Sequence, residues 1–66
     1  MVRDWLKGHR DKMQLSQQAL ADIVGVDITS IGKYESGERR PTPETAQALG
    51  AALGFPWTKF YETDTA

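Results

Sequence analysis

The stretch Leu15-Ser16-Gln17-Gln18-Ala19-Leu20-Ala21-Asp22-Ile23-Val24-Gly25-Val26-Asp27-Ile28-Thr29-Ser30-Ile31 contains one local pattern twice, divided by a single glycine. Ser16 is a good N-cap, and Leu15 before it can pack on Leu20 as a hydrophobic staple. Leu20, Ile23 and Val24 then supply an apolar stripe, and Gly25 ends the helix as a left-handed residue. The pattern restarts at once: Val26 precedes the cap Asp27 and can staple onto Ile31. A connection this tight does not allow two antiparallel helices, so the pair must cross at a large angle.

Outward from this corner, the punctuation yields three more helices. On the N-terminal side Val2, Leu6, His9 and Met13 recur at helical spacing, and that helix is expected to stop near Gln14. On the C-terminal side the second helix of the pair, about Ile28 to Glu35, turns Ile31 and Tyr34 inward. It leaves Ile28, Thr29, Gly32 and Lys33 on its other face. Ser36-Gly37 ends it, and Glu38-Arg39-Arg40-Pro41 is a loop. Thr42 caps a fourth helix with Pro43 at its first position, Ala46, Leu49 and Leu53 on its buried stripe, and Gly54 beyond its end. A short last helix from about Pro56 to Tyr61 returns Trp57, Phe60 and Tyr61 to the core. The expectation is an all-α, five-helix domain over residues 1–62, with a flexible tail at 63–66.

Composition narrows the function. A chain of 66 residues without cysteine buries only about 60% of its unfolded surface and has neither disulfides nor a thiolate metal site to support it. No segment reaches membrane-span length and none reads as a leader, so a cytoplasmic setting is expected. One histidine, dispersed carboxylates and no phosphate-cradling glycine loop argue against an enzyme, a metal, a cofactor or a small-molecule ligand. The net charge of −1 runs mildly against a nucleic-acid partner, but Arg3, Lys7, His9, Arg10 and Lys12 crowd the N-terminal segment, and Arg39 and Arg40 share a loop. His9 reads as a packing histidine and Trp5 as a cover at the core edge. An exposed Trp5 would instead suggest a protein partner.

The run Leu15 to Ala21, then Gly25-Val26, Ile31, Tyr34-Glu35-Ser36-Gly37 and Pro41, resembles the Cro and phage-repressor (Xre-like) helix-turn-helix family over nearly the whole chain. The resemblance implies double-stranded DNA as partner, with the third helix in the major groove and the second bridging the backbone. It places Ile28, Thr29 and Lys33 at base-reading positions. The methyls of Ile28 and Thr29 can pack on thymine, and Lys33 can donate to guanine O6 and N7 or reach a phosphate. Gln17 matches a phosphate contact at a helix N-terminus, with Ser16, Gln18, Ser36, Arg39 and Arg40 as further backbone candidates. Gly32 either lets the backbone approach DNA or is merely tolerated. Arg10 and Glu35 match a partly buried structural salt bridge, and Arg10 is also a phosphate candidate.

Three residues depart from that family's pattern. Asp27 stands where serine or threonine is commoner, so it should lie on a weakly bound edge of the DNA backbone or select cytosine through its N4 amine. Gln14 stands where glycine is frequent, so a left-handed turn there is mildly strained. Ala19 replaces a glutamate, so the second helix lacks a capping box. The implied function is a sequence-specific transcriptional regulator, a repressor of phage or mobile-element type. It would bind as a homodimer through the last helix, Trp57 to Glu62. The alternative is a protein-interaction adaptor or antitoxin-type module on the same fold.

Overall fold

The computed structural model describes residues 3–64, the last two by backbone alone. Five helices follow in order: α1 (Asp4–Lys12), α2 (Gln17–Val24), α3 (Ile28–Ser36), α4 (Pro43–Leu53) and α5 (Lys59–Asp64). No strand occurs among the described residues. The caps form where expected: Ser16 accepts the Ala19 N–H, Asp27 the Ser30 N–H and Thr42 the Thr45 N–H. Gly25 closes α2 in the left-handed region, at φ 85°, and its N–H returns to the Ala21 carbonyl. This conformation is readily available only without a Cβ, and it turns the chain into α3 within three residues.

Leu6, Leu20, Ile31, Leu49 and Phe60 are the largest fully buried side chains, one from each helix, so a single core is shared by all five. Helix α2 packs on α3 and α4, and α1 packs on α3. At the edge of this core, Trp5 meets Phe55 and Phe60 edge-on at 5.2 and 5.1 Å between centroids, and His9 lies 5.0 Å from Phe55. His9 is therefore a packing residue, and Trp5 covers the core.

Sequence and structure differ over two helix faces and one helix start. The buried stripe of α1 is Arg3, Leu6 and Arg10, whereas Met13 is 52% exposed and His9 half-buried; Val2 lies outside the described residues. Apolar periodicity misplaced this face because two of its inward positions are arginines with partners inside. On α2 the inner face is Gln17, Leu20, Ala21 and Val24, and Ile23 is 59% exposed. Ile23 sits off that 17-20-21-24 spacing, and the small Ala21 takes the close contact instead. The closing helix begins later than Pro56: Lys59, Phe60 and Tyr61 N–H groups bond three residues back, to Pro56, Trp57 and Thr58, before α5 proceeds.

One backbone approach went unread in the sequence. A Cβ at Gly50 in α4 would lie 2.6 Å from the Phe55 carbonyl oxygen and 3.2 Å from the Trp57 nitrogen. The turn after α4 folds directly over that helix, which places Phe55 and Phe60 against α1.

Candidate nucleic-acid interface

Helix α3 is presented by a rigid corner. Asp27 accepts twice from Ser30, the backbone N–H on Oδ2 at 3.2 Å and the hydroxyl on Oδ1 at 2.7 Å. The Ser30 hydroxyl bond holds the Asp27 carboxyl below the usual range against the opposing desolvation, with backbone N–H donors and the positive Arg39 adding to it. The α3 N-terminus thus carries its own anion, and both Asp27 oxygens, expected near DNA, are engaged by Ser30.

Beyond this cap Ile31 and Tyr34 are buried and the opposite face is open. Ile28 is 42% exposed, Thr29 is exposed, and Gly32 and Lys33 are half-exposed. The structure brings together the face expected from the sequence. Its far end is closed by the Lys33 carbonyl, which accepts from the Gly37, Glu38 and Arg39 N–H groups and from the Ser36 hydroxyl at 3.1 Å. Ser36 is thus occupied in the turn that carries Arg39 and Arg40, both exposed. The Arg40 guanidinium stands 5.6 Å over the Tyr61 ring.

Behind this face Arg10 joins three parts of the fold. Its Nε donates to Glu35 Oε2 at 2.6 Å, Nη2 to Oε1 at 3.4 Å, and Nη1 to the Leu15 carbonyl at 2.8 Å. The Leu15 N–H in turn bonds the Arg10 carbonyl at 3.2 Å, closing the bend in which Gln14 takes a φ of 56°. The Glu35 hydrogen bond raises the Arg10 pKa above its ordinary value, more than desolvation lowers it. This is the expected salt bridge, and it occupies the guanidinium inside the protein. Gln17 enters the same network, donating from Nε2 to Glu35 Oε1 at 3.0 Å.

Arg3 belongs to the interior, not with the surface cations. It is buried, and its Nη1 donates to the Tyr34 and Arg39 carbonyls at 2.6 and 2.8 Å while its N–H bonds the Glu35 carbonyl at 2.8 Å. A cation at the carbonyl end of a helix is favourable, and here it ties the start of the chain to the end of α3 and the following loop. The spacing of Arg3, Leu6 and Arg10 was the available signal. Counting Arg3 with the surface cations concealed it. Gln18, another backbone candidate, donates to Asp22 on its own helix at 2.9 Å.

A fingerprint of the helix-turn-helix family HTH_3 matches residues 6–60. The chain belongs to this helix-turn-helix family. The helix-turn-helix chain is similar to the uncharacterized HTH-type transcriptional regulator YqaF of Bacillus subtilis, with 32% identity over 62 residues, 94% of this chain and 82% of that one. Against the cryptic phage CTXphi transcriptional repressor RstR of Vibrio cholerae, identity is 36% over 52 residues, 79% of this chain and 46% of RstR. The crystal structure of an HTH_3 family transcriptional regulator from Vibrio cholerae matches with a TM-score of 0.73 at 30% identity, covering 96% of this chain and 35% of that one. The helix-turn-helix chain thus spans under half the length of the last two.

Proposed function

We propose that this protein is a sequence-specific DNA-binding transcriptional regulator, a repressor, with α3 in the major groove. The observation that carries the reading is the open face of Ile28, Thr29, Gly32 and Lys33 on a helix whose opposite side is core. Ile28 and Thr29 methyls suit thymine, and Lys33 suits guanine or a nearby phosphate. Gln17, with the unpaired N–H groups at the start of α2, addresses the DNA backbone. Ser16, Gln18, Ser36, Arg39 and Arg40 flank that strand, whereas Arg10 and Asp27 serve mainly by holding α2 and α3 in place.

One helix in one groove gives limited affinity, so the protein acts as a symmetric homodimer. Its half-sites lie about 34 Å apart, or a multiple of this. Trp57 and Tyr61, in edge contact at 5.6 Å and half-buried, are the best candidates for the dimer contact. The adaptor reading drew part of its support from Trp5, and that ring is engaged with Phe55, Phe60 and, at 5.3 Å, the Lys59 ammonium.

Fluorescence titration of duplexes at increasing salt tests the proposal. Release of counterions should steepen the loss of affinity by roughly 0.9 in logarithmic slope per neutralised phosphate. Negligible binding to every duplex would favour the adaptor.

A further inference from the structure

Gln17 is where the buried ion pair reaches the surface. Its Nε2 donates to Glu35 Oε1 at 3.0 Å, and Glu35 is itself buried and held by Arg10 at 2.6 Å. A primary amide has two N–H bonds in one plane. With one of them on Glu35, the direction of the other is set. Gln17 is only half-buried, and across the seam Gly32 on α3 faces that amide, with a Cβ built there lying 4.0 Å from Nε2 and so in no more than ordinary contact. Arg10 neutralises the carboxylate, so a phosphate approaching Gln17 does not face a bare negative charge.

We infer that Glu35 is a positioning residue for DNA, holding the Gln17 amide ready at the seam of α2 and α3 to donate its second N–H to a backbone phosphate. A free glutamine at a helix start would lose rotamer freedom on binding, and the bond to Glu35 removes that loss beforehand. The inference rests on the reading of Gln17 as a phosphate contact.

A double-mutant cycle with Gln17→Met and Glu35→Gln tests it, reading the Kd for a duplex selected by the unaltered protein. Gln17→Met should weaken binding about three- to tenfold, the range of one hydrogen bond. Glu35→Gln should do the same alone, yet add less than about twofold when Gln17 is already methionine. Fully additive losses would overturn the inference, since Glu35 would then act through fold stability only. An unchanged Kd for Gln17→Met would also overturn it while leaving DNA binding intact, whereas failure of the unaltered protein to bind any duplex would remove the underlying reading as well. Because Glu35→Gln can unfold the domain, side-chain amide relaxation by NMR on the free unaltered protein provides a second measure. The Gln17 amide should be as ordered as the backbone, and mobility equal to that of exposed Gln47 would overturn the inference.

Discussion

The Arg10 guanidinium and the Glu35 carboxylate meet at 2.6 Å with only 10% and 8% of their side chains exposed. Removing one partner strands the other charge away from water. Arg10→Ala or Glu35→Ala should therefore lower unfolding free energy in urea by about 3–5 kcal/mol, much of what a domain this small has. Arg10→Met with Glu35→Leu should recover most of that loss. Because the Arg10 pKa is raised, the stability that this guanidinium's charge contributes is fully present below its unfolded value and is lost only as pH rises through the folded one. Both lie above the working range, so the titration of Arg10 should add no pH dependence near neutrality.

Asp27 behaves in the opposite sense. Its folded pKa is depressed, first by the Ser30 hydroxyl bond, so its contribution is present above the unfolded value and fades as pH falls through the folded one. Acid titrations of thermal stability should show the unaltered protein losing more than Asp27→Asn below about pH 4. Parallel curves would refute a charged cap on α3.

Gly50 is required by contact, because the Phe55 carbonyl lies where its Cβ would be. Gly50→Ala, although favourable for an isolated helix, should destabilise by about 1–3 kcal/mol. Stabilisation in a denaturation experiment would show that the turn after α4 does not sit this closely.

Gln14 is the only non-glycine residue at positive φ among the described residues. Replacing it by glycine should raise stability by about 0.5–1 kcal/mol, since the left-handed conformation is strained with a Cβ. A lower midpoint in urea would contradict this.

The sequence was most legible where local chemistry is self-contained. The caps Ser16, Asp27 and Thr42, the left-handed Gly25 and the strained Gln14 each announce a bend without knowledge of distant residues. The open face of α3 followed, because Ile31 and Tyr34 determine which side is inward. What stayed hidden depends on contacts far along the chain. Arg3 is explained only by the Tyr34 and Arg39 carbonyls that it binds, and Gly50 only by the backbone at residues 55–57. Gln17 could be placed at the head of α2, but its bond to Glu35, 18 residues away, is a product of how α2 and α3 pack. Ile23 was misjudged for a related reason: periodicity over eight residues is too short to locate a stripe to within one position.

Selection of bound duplexes from a random pool, run in parallel with the unaltered protein and with Lys33→Ala, tests the docking of α3 most directly. The unaltered protein should enrich one symmetric site. Lys33→Ala should relax the preference at one base position in each half-site, or weaken binding to the whole site if Lys33 holds a phosphate. The same site bound with the same affinity by Lys33→Ala, and likewise by Ile28→Ala and Thr29→Ala, would show that this face of α3 does not meet DNA.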